Sequence, residues 1–286
     1  MLMTRFKTLP LLALALLPMA GCLSSHSAPA PAAPAPAVAP AVNTFERIAI
    51  IGASSSAGFN LQLETGVPTR LADYINEALH VPHEVVFDGA TELLFLDPEG
   101  MGAKMASDAL EATPTVLIAP DFLFWFFYGA GPTTEARRAR LETGLALLEP
   151  FTCKLVIGDL PYMQGAAGGM IPLSSMPRGD SFEAANARIY AWAAAHPNVA
   201  VTPFVAVNKT LQSGARYVLG DFTWDQDELG GLLQADQLHP NLAGTAILCL
   251  EVLYSLTQLD KTALIDVSMV DPEELVDAVD DLVSSR

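Results

Sequence analysis

The chain is poor in cysteine, in basic residues and in histidine, and each shortage argues against a class of function. Three cysteines in 286 residues are too few for a disulfide-stapled scaffold. Beyond Cys22 only Cys153 and Cys249 remain, both in apolar surroundings that suit small buried thiols. A single bridge between them is open, because spacing alone does not place their Cα atoms. Fifteen Lys and Arg stand against 32 Asp and Glu, a net charge of −17. A surface this acidic repels phosphate backbones and argues against nucleic acid as a partner. The neighbouring Arg137, Arg138 and Arg140 read as one solvated helix face. His80, His83 and His196 fall outside any metal-ligand spacing and read as loop or surface residues, so no metal or cofactor is called for.

The N-terminal residues have the layout of a secretory signal. Arg5 and Lys7 precede an apolar run from Leu9 to Leu17, which is too short to span a bilayer, and small residues lead up to Cys22. Met19-Ala20-Gly21-Cys22 resembles a bacterial lipoprotein signal, in which cleavage after residue 21 frees Cys22 for lipidation. Leu23 follows the cysteine where an Asp would favour inner-membrane retention. The resemblance therefore implies an envelope protein anchored in the outer membrane. From residue 22 to 44 the chain is almost entirely Ala, Pro, Ser and Val, an extended tether with nothing to build a core. Arg5 and Lys7 are the charged residues of segment 1–21, so the remainder carries 13 basic and 32 acidic residues, a net of −19. Residues 45–286 are about the length of one α/β domain.

In that domain, short apolar runs alternate with longer amphipathic ones. Arg47–Ile51, Glu84–Phe87, Thr115–Ala119, Lys154–Gly158 and Val199–Pro203 read as strands buried on both faces. Helical patterns cover Thr69–Leu79, Gly102–Glu111, Thr134–Leu148, Ser181–Ala195 and Asn241–Leu256. Asp180 with Glu183, and Asp271 with Glu274 after Pro272, suggest capping boxes. The last helix places Leu275, Val276, Val279, Leu282 and Val283 along one stripe. Alternating β and α elements predict a parallel sheet with helices on both faces and ligands at the carboxyl ends of the strands.

Two segments carry chemistry. The first strand runs into Gly52-Ala53-Ser54-Ser55-Ser56-Ala57-Gly58, where the glycines allow a sharp turn and free N–H groups. Alone, such a run is usually a flexible turn. The second is Asp236-Gln237-Leu238-His239-Pro240. A serine becomes nucleophilic when an imidazole takes its proton, and a carboxylate fixes the imidazole tautomer. Three-residue spacing can bring Asp236 to the Nδ1 side of His239, with Pro240 opening the next helix. Alone, this segment would be a capping turn with a surface histidine.

Together the segments resemble the GDSL-type esterases of the SGNH hydrolase superfamily, whose blocks read Gly-Asp-Ser…Gly early and Asp-x-x-His-Pro late. Here they stand as Gly52-Ala53-Ser54…Gly58 and Asp236…His239-Pro240, over a span from Ile48 to about Leu256. The resemblance implies a flavodoxin-like three-layer α/β/α sandwich with a central parallel sheet of about five strands. It also implies a Ser54–His239–Asp236 triad acting on ester or acetyl substrates through an acyl-enzyme, without a metal. Its oxyanion hole would use the Ser54 N–H, the Gly89 N–H after the second strand, and a side chain after the third. The family has Gly-x-Asn-Asp there, and this chain has Ala119-Pro120-Asp121-Phe122.

Asp121 then has two readings. Burial among the aromatic run Phe122–Phe127 would keep it protonated, able to donate in place of asparagine. Otherwise it faces away and its carboxylate caps a loop. The aromatic run itself packs a core or lines an acyl pocket, and loops 165–180 and 211–233 could cover the cleft. The altered oxyanion position also leaves room for a catalytically impaired envelope binding or assembly protein.

Overall fold

Alternation along the strands decides which helices lie on which face. The structure is a computed structural model, and it describes residues 43–129, 133–213, 215–225, 227–228, 231–259 and 270–286. The 1–21 leader, Cys22 and all of the 22–44 tether except its last two residues lie outside the described residues. The strands are β1 (Arg47–Ile50), β2 (Glu84–Asp88), β3 (Val116–Ala119), β4 (Lys154–Gly158) and β5 (Val199–Thr202). They pair in parallel in the order β2-β1-β3-β4-β5. All five anticipated strands are present, each within one residue at either end.

The helices are α1 (Ser54–Ala57), α2 (Gln62–Thr65), α3 (Leu71–Ala78), α4 (Pro98–Glu111), α5 (Phe124–Tyr128) and α6 (Thr134–Leu148). They continue with α7 (Gly179–Ala195), α8 (Phe204–Ser213), α9 (Leu242–Leu259) and α10 (Pro272–Ser284). Ala49, Ile51, Leu117, Leu155 and Ile157 point to one face and bury against α4, α5, α6 and α7. Ile48, Ile50, Val116, Ile118 and Val156 point to the other and bury against α3, α9 and α10. Side chains of successive residues leave a strand on opposite faces, so strands buried on both read as unbroken apolar runs. The result is the three-layer α/β/α sandwich, with the flavodoxin-like order whose switch point lies between β1 and β3.

Several local expectations change. The three arginines do not share a solvated face: Arg137 is buried while Arg138 is exposed. The Arg137 guanidinium donates to Phe127 O (2.9 Å), Tyr128 O (3.3 Å), Gly129 O (3.2 Å) and Ser175 O (2.9 Å). It thereby satisfies the carbonyls that α5 leaves open at its C-terminus. Helix α7 begins at Gly179 with Arg178 as its cap residue, so Asp180 lies within the first turn rather than capping it. Asp271 does cap α10, accepting from Glu273 N (2.8 Å) and Glu274 N (3.3 Å). Pro240 precedes α9 by two residues, and the Asn241 side chain caps that helix through Gly244 N (2.9 Å). Within 211–233 an antiparallel hairpin forms, β6 (Tyr217–Leu219) with β7 (Phe222–Trp224). Cys153 and Cys249 are free thiols in the clusters on opposite faces of the sheet, so they do not pair.

Candidate active site

The turn after β1 is built around an acid that comes from the end of β3. Asp121 Oδ1 accepts from Ala53 N (2.9 Å) and Ser56 Oγ (2.6 Å), and Oδ2 from Ser55 N (2.9 Å) and Ser56 N (3.1 Å). Four donors converge on one carboxylate, which ties the turn down as a pure acceptor. In all four contacts Asp121 accepts, so its side chain is taken up by the turn as in the loop-capping reading and does not stand as a donor in place of asparagine. Counting the strand end one residue earlier puts Pro120 in the asparagine position of Gly-x-Asn-Asp, and proline has no donor. Among residues 53–56, the N–H that Asp121 does not take belongs to Ser54.

Two glycines make the turn possible. A Cβ on Gly52 would sit 2.2 Å from Asp121 Oδ1, and Gly58 adopts a left-handed φ of 76° with Thr69 O only 1.8 Å from where a Cβ would be. Ser54 is the first residue of α1 and is 8% exposed.

The other half of the site hangs on the loop before α9. His239 Nε2 lies 2.8 Å from Ser54 Oγ, and His239 Nδ1 lies 2.7 Å from Asp236 Oδ2. Asp236 Oδ1 also accepts the Leu238 and His239 N–H groups, both at 3.0 Å. Burial raises the Asp236 pKa, but the His239 ring and these two N–H groups outweigh it and hold the carboxyl below its ordinary range. Gln237, between acid and base, takes a left-handed φ of 57°, a conformation that costs a non-glycine residue about 1 kcal/mol. The Phe59 ring stacks on His239 with centroids 4.1 Å apart. Ser54, His239 and Asp236, 185 residues apart at the extremes, thus form one continuous hydrogen-bonded line.

The anticipated oxyanion donors fare less well. The Gly89 N–H continues the sheet by donating to Ile50 O at 2.9 Å, so it cannot also face a substrate oxygen, and that assignment is corrected. Of the three anticipated donors, the Ser54 N–H is the one without a protein acceptor among the described residues.

Residues that sequence reasoning missed complete the site. Gln234 Nε2 donates to Phe59 O (2.7 Å) and Pro240 O (2.8 Å), joining the serine turn to the histidine loop. A cavity of about 180 Å³ opens beside Ser54, walled by Leu160, Met163, Phe204, Val207, Leu238 and Ile247. Of the Phe122–Phe127 run, Phe124 lines this cavity and the others pack the core. No residue of the 165–180 loop lines this cavity, whereas Leu232 and Leu233 of the 211–233 loop do. Asp159 and Glu251 also line the cavity. Burial pushes Asp159 up to about 6, partly offset by bonds from Val205 N (2.8 Å) and Tyr190 OH (2.9 Å). Burial alone pushes Glu251 up to about 7. Glu251 is the sole charged residue of an otherwise apolar helix, which was its signal in the sequence. No group of His, Cys, Asp and Glu among the described residues could hold a metal.

No family model matches the chain, and no curated protein matches it in sequence. Solved structures do resemble it. BT4096, a gut microbial diltiazem-metabolizing enzyme, aligns with a TM-score of 0.50 at 16% identity over 75% of this chain. The chain covers 47% of that protein, about half its length. TesA gives 0.44 at 19% identity, covering 75% of this chain and 99% of that one. The psychrotrophic esterase EstA from Pseudoalteromonas sp., in a structure inhibited by monoethylphosphonate, gives 0.43 at 18% identity over 74% and 97%. The chain shares the three-layer α/β/α fold with BT4096. Within that fold, Ser54 leaves the carboxyl end of β1 beside the switch point, where α/β sheets bind ligands.

Proposed function

We propose that the protein is a serine hydrolase of carboxylic esters, with Ser54 as nucleophile, His239 as base and Asp236 as the carboxylate that orients it. The observation that carries this reading is the unbroken line from Ser54 Oγ through His239 to Asp236 at 2.8 and 2.7 Å. Ser54 Oγ adds to the ester carbonyl carbon as its proton passes to His239 Nε2. The tetrahedral oxyanion collapses, the alcohol leaves with the proton from His239, and an acyl-Ser54 ester remains. Water deprotonated by His239 then attacks that ester and releases the acid and free Ser54. The Ser54 N–H is the donor available to the oxyanion.

The test is labelling with a fluorophosphonate probe, together with turnover of p-nitrophenyl esters of several chain lengths and of an acetylated sugar. Wild type should label and turn over, and Ser54→Ala should do neither. A wild type that neither labels nor turns over favours a second reading, a binding or assembly protein on a hydrolase fold. The occupied Gly89 N–H and the acceptor-only Asp121 speak for that reading, since one missing oxyanion donor costs on the order of a hundred- to thousandfold in turnover.

We also propose that Cys22 carries the lipid that anchors the domain in the cell envelope, on the outer membrane, through the 22–44 tether. Metabolic incorporation of an alkynyl fatty acid should label the full chain, and Cys22→Ser should abolish the label.

A further inference from the structure

Helix α9 presents one face to two cavities, and a single acid stands where they meet. Gly244, Ile247, Leu248 and Glu251 line the cavity beside Ser54. Glu251, Tyr254, Ser255 and Gln258 line a second one of about 540 Å³. The spacing of three and four residues puts all of them on one stripe of the helix. Val207 of α8 lines both cavities as well, so the two adjoin at Val207 and Glu251.

Glu251 is 5% exposed and makes no hydrogen bond or ion pair among the described residues. Burying a carboxylate without a partner is costly, and sites that hold one generally pair it with a cation. No Lys or Arg among the described residues lines either cavity. The other acids of the first cavity, Asp159 and Asp121, already accept from protein donors, Asp159 from Val205 N and Tyr190 OH and Asp121 from Ala53 N, Ser55 N, Ser56 N and Ser56 Oγ. The cavity thus concentrates negative potential behind apolar walls. Phe124 and Phe204 also line the cavity, and aromatic rings are of the kind that attract alkylammonium groups.

We propose that the cavity beside Ser54 receives the cationic nitrogen of an ester, an alkylammonium group, with Glu251 as its counter-charge. The inference rests on the hydrolase reading for its link to catalysis, but the binding step stands apart from it. The ammonium can belong to the acyl or to the alcohol half, and the recognising chemistry is the same.

Two pairs of esters, matched in shape and differing in charge, test this at about pH 8.5, where free carboxylates are ionised. On the acyl side, p-nitrophenyl 4-(trimethylammonio)butanoate is set against p-nitrophenyl 5,5-dimethylhexanoate. On the alcohol side, choline butanoate is set against 3,3-dimethylbutyl butanoate. The cationic member of at least one pair should be favoured about tenfold or more in kcat/KM, as for a desolvated charge pair. Glu251→Gln and the uncharged, similarly sized Glu251→Leu should each bring the ratio close to one. Titration calorimetry of the same esters into Ser54→Ala protein reads the same ratio in affinity, whether or not the wild type turns over. Equal affinities in both pairs, or a preference that survives both Glu251 variants, would overturn the proposal. Missing fluorophosphonate labelling alongside a Glu251-dependent affinity would instead reject the hydrolase reading and retain the cation pocket.

Discussion

Asp121 holds Ser56 twice, taking its hydroxyl on one carboxylate oxygen at 2.6 Å and its N–H on the other at 3.1 Å. Ser56 belongs to the same turn as Ser54, so Asp121 fixes where the Ser54 side chain points. Asparagine at 121 keeps one acceptor oxygen and turns an NH2 group toward N–H donors. With one buried donor left unpaired, Asp121→Asn should lose about 2 kcal/mol in urea unfolding. Labelling of Ser54 by a fluorophosphonate should slow at least about tenfold, since the nucleophile's geometry is lost. Wild-type stability and labelling in this variant would show that the clamp does not hold the turn.

Gly52 and Asp121 form one device. A methyl group on Gly52 would lie 2.2 Å from Asp121 Oδ1 and 2.6 Å from Ser56 Oγ, displacing the carboxylate from the turn. Gly52→Ala should therefore resemble Asp121→Asn in both stability and labelling rate. The double variant should be little worse than either single one, because residues of one network do not contribute additively. A fully additive double-mutant cycle would separate the two.

Gln234 tests whether the halves of the site are held in register. Its amide bridges Phe59 O and Pro240 O, and Gln234 N donates to His239 O at 2.8 Å. Gln234→Ala keeps the backbone bond and loses the bridge, at about 1 kcal/mol of stability. The larger effect should fall on kcat, about tenfold, with KM changed much less, because Ser54 and His239 then drift relative to one another. A rise in KM at constant kcat would place Gln234 in substrate binding instead.

What was legible in the sequence follows from how local each feature is. The strands at 47, 116, 154 and 199 announce themselves because burial on both faces demands a nearly uninterrupted apolar run, whereas β2 at 84, expected to be buried on both faces, is a half-buried edge strand. Ser54, Asp236 and His239 were legible because each lies at a strand end or a helix mouth with tell-tale neighbours. Asp121 was visible as a departure from the family pattern, but its partners lie 65 to 68 residues away and appear only on folding. The same holds for Arg137, whose partners include Ser174 and Ser175, far along the chain. Gly89 misled because a turn glycine and an oxyanion glycine look alike until the N–H is seen bonded to Ile50. Helix α8 was not anticipated, yet its Phe204, Val207 and Asn208 line the cavity that Glu251 also lines.

Glu251 also ties stability to pH. Its pKa rises from the ordinary 4.5 to about 7 because burial disfavours the charged form. Between those values the folded protein holds a proton that the unfolded chain has released. Stability from this group is therefore complete below about pH 4.5 and is lost as pH rises through about 7. The loss corresponds to about 3 kcal/mol at 1.36 kcal/mol per pKa unit. Glu251→Gln has nearly the same shape and no proton to lose, so urea unfolding should show the two proteins equal near pH 4.5. At about pH 8.5 the variant should be the more stable, by an amount on the order of 3 kcal/mol. Asp159, pushed up to about 6, drives both proteins in the same direction and cancels from the difference. A wild type that matches the variant at both pH values would mean that Glu251 is not carried into the cavity wall uncompensated.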